Sequence, residues 1–362
     1  YKARAEIVMD RAMRSIGLPG KAIVPMIVGY GCNVPAVMAT RTLESERERN
    51  LTILRYPFMS CGGRFPVAVL YAPAFVPSNG QIVVFTLYLV GILVAIGSGM
   101  LMKRSLLSGE SEGFMMELPS YHRPTLRGMG LRTWDRVKVF VREAGRVIVL
   151  MVLVLAVLNS LGTDGSFGNE DTDDSALSAI GRAATPVFAP MGVEEDNWPA
   201  TVGIISGVLA KEVVVGTLDS LYTDLSEESS DAAEEEFDFW GSVSDSLATV
   251  PENLSDAVGS FADPLGVRVG TVTTDDVAED QEVDDAVFGE MADRFDGRVG
   301  AFAYLLFVLL YFPCVATIGA IVREAGRGWA MFVAELSTGI AFVLATVFYQ
   351  GATIGRHPMS SS

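Results

Sequence analysis

Two uncharged runs limit what this chain can fold into more than any other feature. Gln81 to Met102 is 22 residues without a formal charge, ended by Lys103 and Arg104, and Val299 to Val322 is 24 such residues, ended by Arg323, Glu324 and Arg327. A hydrocarbon core of about 30 Å needs about 20 helical residues, so both runs predict membrane-spanning helices. Gly328 to Gly351 predicts a third, interrupted only by Glu335. Val147 to Leu161 is a shorter fourth, extendable through Ala144 and Gly145 with Arg146 snorkelling to the interface. Buried helices of a water-soluble core keep a polar stripe, which the two longest runs lack.

The charge lies elsewhere. The 362 residues carry a net charge of −17 at a mean hydropathy of +0.35, a pairing uncommon in a single soluble globule. Between Asp219 and Arg298 there are 23 acidic residues against three basic ones, and residues 161–196 hold eight acidic residues and Arg182. The remaining body is apolar and mildly basic, which disfavours a nucleic-acid binder. From Lys103 to Arg146 nine Lys or Arg face five Asp or Glu, so this connection is expected on the cytoplasmic side, with Arg323 and Arg327. Both acidic inserts are then extracytoplasmic, and the longer has a composition suited to partial disorder. Residues 131–146 read as a basic amphipathic helix on the inner leaflet. The basic residues from Lys2 to Lys21 suggest another, while the breaks that follow permit spanning or re-entrant paths.

Function is expected where apolar segments contain helix breakers. Ala22 to Thr40 carries Gly29, Gly31 and Pro35 around Cys32 and Asn33. Leu51 to Val76 carries Pro57, Gly62, Gly63 and Pro66 around Met59, Ser60 and Cys61, and the run from Val299 carries Pro313 just before Cys314. Glycine and proline free backbone polar groups that lipid cannot satisfy, so broken helices persist mainly where they line a polar path. The three cysteines, odd in number and at membrane depth, read as free thiols rather than a disulfide framework. Thiols and the thioethers of Met26, Met38 and Met59 are soft ligands, while Asn33 and Ser60 add oxygen. Any one cysteine is as readily a small buried hydrophobe; three at three breaks raise the weight of a ligand role.

Other ionisable residues are candidates for the path. Lys211 and Glu212 sit inside the apolar stretch Thr201–Leu218, where charge costs about 2.5–3.5 kcal/mol per residue and usually faces a partner or cavity. A structural ion pair at the interface is the plainer alternative. By parity this stretch should return to the outer side, re-entrant or paired with 181–200. Glu117 and His122, in M-M-E-L-P-S-Y-H-R-P, offer a carboxylate and an imidazole as an entry or exit site for a cation. A proline-fixed elbow is the simpler reading.

These same segments resemble a known family, ferrous iron transport protein B (FeoB). The resemblance runs from G-L-P-G-K-A-I-V-P-M-I-V-G-Y-G-C-N-V-P (17–35) through P-F-M-S-C-G-G-R (57–64), F-M-M-E-L-P-S-Y-H-R-P (114–124), E-D-N-W-P-A-T-V-G (195–203) and A-K-E-V-V-V-G-T-L (210–218) to F-P-C-V-A-T-I-G-A-I-V-R-E (312–324). It implies an all-α, polytopic transmembrane bundle with two Gate-type repeats containing broken helices, plus the acidic extracytoplasmic inserts. The expected division is a first Gate region over 1–63, a FeoB-specific segment with its cytoplasmic connection over 64–130, and an amphipathic helix with the start of the second Gate region over 131–218. The acidic insert over 219–298 and the end of the second Gate region over 299–362 complete it.

The resemblance further implies Fe²⁺ uptake across the cell membrane, with Cys32, Cys61 and Cys314 at the family's cysteine positions. Fe²⁺ is the transported substrate, and the family context suggests that a nucleotide-driven GTPase domain changes the gate. That domain, with its GTP and Mg²⁺, is expected to be absent here: no G-x-x-x-x-G-K-[ST] occurs. The family's first spans and a last span after His357-Pro358 are also expected to be absent. Expected partners are ferrous iron, the lipid bilayer, a small FeoA-type cytoplasmic protein and further copies of the chain, with no nucleic acid. The rival readings are a carrier of nucleosides or other small solutes, a non-transporting membrane receptor or scaffold, and an intramembrane enzyme. Against the last, no H-E-x-x-H is present, and the only histidines are His122 and His357.

Overall fold

A computed structural model describes residues 2–75, 80–107, 109, 125–162, 175–227, 291 and 294–354. The described residues are mostly helical, with two isolated β-bridges and no strand. Three apolar helical stretches are long enough to cross a membrane, and they coincide with the two uncharged runs and the Gly328–Gly351 run. They are α6 (Gly80–Arg104), the pair α11 (Gly297–Leu310) and α12 (Val315–Ala325), and α13 (Arg327–Thr353). The fourth run is the C-terminal part of α7 (Leu126–Ser160). The basic segment expected as a separate surface helix is the N-terminal part of that same uninterrupted helix. No glycine-proline pair or turn signal stands at the 146/147 boundary to end it.

Two short helix pairs fold back on themselves. α2 (Ile23–Gly31) and α3 (Asn33–Ala39) turn about Cys32, whose φ/ψ of −154°/132° is extended. A Cβ built on Gly29 would lie 3.7 Å from the Ala36 Cβ, a contact that one straight helix could not make. α9 (Trp198–Leu209) and α10 (Val214–Glu227) turn about Ala210, at −148°/106°, followed by a 3₁₀ turn over Lys211–Val213. Gly203 packs against Leu218, and the Tyr222 hydroxyl donates to Asn197 Oδ1 at 2.7 Å. α8 (Ala176–Phe188) packs beside α9.

The hairpins enter from opposite ends of the bundle. The first starts at the basic end, where Lys103 and Arg104 close α6. There Lys21 Nζ meets Glu44 Oε1 at 2.6 Å, and this hydrogen bond with its charge holds the exposed Glu44 carboxyl below the usual carboxylate range. The second starts at the far end, beside the Val193–Phe295 bridge and the Tyr349–Asp296 hydrogen bond. Two large apolar cores stack along the bundle. One, at the far end, contains Tyr71, Phe75, Phe295, Tyr304 and Phe307; the other, at the basic end, contains Leu18, Val37, Leu51, Ile53 and Ile321. A smaller one joins α7, α8, α9 and α10 around Trp198 and Val202.

Tyrosines of α11 fix the second hairpin. Tyr304 donates to the Ala200 carbonyl at 2.9 Å, and Tyr311, just past the helix, donates to the Ile204 carbonyl at 3.2 Å. Gly203 and Gly207 of α9 make room for these hydroxyls. A Cβ on Gly207 would stand 2.4 Å from Tyr311 Oη and 3.0 Å from a Val214 methyl. Gly207→Ala should therefore destabilise the protein by about 1–3 kcal/mol through overpacking. Thermal unfolding in detergent checks it: the variant should melt earlier, and adding Tyr311→Phe should recover part of the loss.

Candidate functional site

The interrupted segments meet at the junction of the two large cores. α2 ends at Gly31, and Cys32 caps α3, with Asn33 and Pro35 in its first turn where proline's missing N–H costs nothing. α4 (Glu46–Ile53) leads through a 3₁₀ turn at Tyr56–Phe58 to the stretch Met59–Arg64, after which α5 (Phe65–Phe75) begins. α11 stops at Leu310, and Tyr311–Cys314 run non-helically to α12, with Pro313 buried and Cys314 as its N-cap. None of the three cysteines is in a disulfide, and all are half-buried. Met59, Ser60 and Asn33 are buried, and Gly29 is packed against the Tyr56 ring.

Hydrogen bonds stitch the interruptions together. The Gly62 amide donates to the Gly31 carbonyl at 3.0 Å, joining the Cys61 stretch to the tip that carries Cys32. Arg64, 3% exposed, donates to the carbonyls of Pro57, Leu309 and Tyr311; the last bond is 2.9 Å. One guanidinium thus satisfies carbonyls on both sides of the gap between the second and third interruptions, groups that lipid would leave unpaired. Tyr311 is the hub. Lys211 Nζ lies 4.6 Å from its ring centroid, and Arg64 Cζ lies 6.0 Å from it. Cys314 Sγ is 3.1 Å from Thr317 Oγ1. Asn33 Oδ1 and Arg64 Nε are buried without a hydrogen-bond partner among the described residues.

Chemically, the junction offers thiols, a thioether, an unpartnered amide oxygen and a hydroxyl beside two fixed positive charges, Arg64 and Lys211. A cation can rest there only with anionic ligands, which thiols become on metal binding. Among the described residues no group of three or more His, Cys, Asp or Glu is gathered to hold a metal ion. The thiols are therefore spread along the junction rather than closed into one cage.

Comparison with known proteins places this architecture. The family model described as "Ferrous iron transport protein B C terminus" matches residues 84–136. The Gate model, described as "Nucleoside recognition", matches residues 1–75 and 141–328, well over half of the chain. The chain belongs to the Gate family. It is 47% identical over 363 residues to the Fe(2+) transporter FeoB of Legionella pneumophila (strain Paris), covering 100% of this chain and 47% of that protein. The Fe(2+) transporter FeoB of Salmonella paratyphi A is 44% identical over 367 residues, covering 100% of this chain and 46% of that protein. The chain thus spans about half the length of the curated relatives it matches. No solved structure matches it. The family and the three apolar helices together make it a membrane protein.

Within this Gate-family chain the remaining candidates fall in different places. Lys211 is buried at the tip of the second hairpin, against Tyr311, rather than at a surface. Glu212 follows it in the 3₁₀ turn, its side chain outside the described residues, and Glu117 and His122 also lie outside them. Sequence reasoning gave no role to Arg64, Tyr311 or the fully buried Arg55, whose Nη2 donates to the Ile16 carbonyl at 2.5 Å. A signal existed for the arginines. Both are ionisable residues inside the apolar stretch Leu51–Val76, the criterion that flagged Lys211.

Proposed function

We propose that this chain forms the membrane pathway of ferrous-iron uptake, inward across the cell membrane, with Cys32, Cys61 and Cys314 as successive thiol stations. The observation that carries this reading is the stitching of all three thiol-bearing interruptions by Gly31–Gly62 and by Arg64. The relatives named Fe(2+) transporter supply the substrate class. The two fold-back hairpins with their partner stretches, α4–α5 and α11–α12, are read as two inverted Gate repeats whose broken helices meet at mid-depth.

In the mechanism, Fe²⁺ sheds part of its water shell at the junction. Cys61 and Cys314 release protons as their sulfurs bind, and the negative charge so formed offsets Arg64 and Lys211. Asn33 Oδ1, Ser60 and the Met59 thioether complete a mixed sulfur and oxygen set suited to a borderline-soft divalent ion. The basic end faces the cytoplasm and the acidic inserts face outward. Coupling to GTP and Mg²⁺ through a GTPase domain, and contact with a FeoA-type protein, would act on the cytoplasmic side.

Uptake of Fe²⁺ into membrane vesicles carrying the protein, with Mn²⁺ or nucleosides as competitors, tests the substrate. Excess nucleoside should leave the iron signal unchanged. Because the Gate model is described as "Nucleoside recognition", a nucleoside carrier is the second reading, and saturable nucleoside uptake without iron uptake would replace the first with it.

A further inference from the structure

A cleft between α3, α7 and α12 starts beneath the thiols and ends at an ion pair. Toward the junction it is lined by Val34 and Ala316, each two residues past a station cysteine. Met38, Gly319 and Ala320 line its middle, with Phe140 and Val147 of α7 forming the third wall. At the basic end Arg41 Nε and Nη2 both meet Glu324 Oε1, at 2.7 and 2.5 Å. The pair spans 283 positions of sequence and ties the end of α3 to the end of α12. Its partners differ in setting: the Glu324 side chain is 7% exposed and that of Arg41 57%.

We propose that this cleft is the inner leg of the ion path and that the Arg41–Glu324 pair is its gate, closed in this structure. The proposal rests on the iron-uptake reading and adds the exit to it. A divalent cation descending from Cys314 presents Glu324 with a stronger charge than the guanidinium does, and a carboxylate oxygen is a suitable ligand for Fe²⁺. Arg41, already largely in water, swings free at small cost. Arg323, also lining the cleft, adds repulsion that drives the ion outward. Once the ion leaves, a buried Glu324 carboxylate without a cation is costly, so Arg41 returns and the gate closes.

Thiol labelling tests this without iron. In a chain with Cys32→Ser and Cys61→Ser, Cys314 is the remaining target, and a charged, membrane-impermeant methanethiosulfonate is added to inside-out vesicles. Arg41→Gln and Glu324→Gln should each label about tenfold faster than the parent. The reversed pair Arg41→Glu/Glu324→Arg should return to the slow rate, and Ala320→Trp added to Arg41→Gln should cancel the gain by filling the cleft. Equal labelling in parent and single variants overturns the gate, as does fast labelling in the reversed pair. Failure of Ala320→Trp to slow the reagent overturns the route. If labelling follows the gate while vesicles carrying the chain with all three cysteines take up no Fe²⁺, the gate stands and the iron reading fails.

Discussion

Arg64→Met should destabilise the protein by about 3–5 kcal/mol and abolish Fe²⁺ uptake by whatever fraction still inserts. Methionine keeps the length and apolar bulk of the side chain and deletes every donor. The carbonyls of Pro57, Leu309 and Tyr311 would then lose the guanidinium that bridges them. Each buried carbonyl left without a donor costs about 1–3 kcal/mol, and removal of one partner from a buried charged network reaches about 3–5. The functional loss should exceed the stability loss, because Arg64 also sets the distance between the Cys61 stretch and the Cys314 stretch. Arg64→Lys separates the two effects. Its single ammonium cannot span three carbonyls, so this variant should insert and melt closer to the parent yet transport poorly. Thermal unfolding in detergent and uptake per inserted molecule are the two measurements; a Lys variant with parental uptake would show that the charge alone suffices.

Serine in place of Cys314 should lower Fe²⁺ uptake by at least 10- to 100-fold, the range already seen when supporting groups of metal ligands are changed. The exchange is nearly isosteric and keeps a polar group at the α12 N-cap, so insertion and melting should hold. What disappears is the soft, readily ionised sulfur that lets a cation rest beside Arg64 and Lys211. Cys32→Ser, at the tip of the first hairpin, should behave alike. Parental uptake in both serine variants would refute the ligand role.

Much of the helical frame is legible in the sequence because lipid imposes length and apolarity on whole segments. Gln81–Met102 becomes α6, Val299–Val322 becomes the α11–α12 pair, and Gly328–Gly351 becomes α13. The interruptions at Cys32, at Met59–Arg64 and before Cys314 are also written locally, in glycine and proline. Their meeting is not. The Gly62–Gly31 bond and the reach of Arg64 to Leu309 join residues from distant parts of the chain through backbone carbonyls, which carry no side-chain signature. The Arg41–Glu324 pair is hidden for the same reason: each residue reads alone as an end-of-helix charge. α7 shows a different limit. Composition changes abruptly near Arg146, yet backbone hydrogen bonding continues through it, since polarity alone does not end a helix.

Protection of the thiols by anaerobic Fe²⁺ tests most directly whether the three interruptions face one ion path. Three single-cysteine chains, retaining Cys32, Cys61 or Cys314, would be labelled in membranes with a small water-soluble thiol reagent. Each thiol should react, and Fe²⁺ should slow each reaction while Mg²⁺ at the same concentration leaves it unchanged. Thiols that never react, or that react at the same rate with and without Fe²⁺, would place the cysteines in dry packing and contradict a shared path.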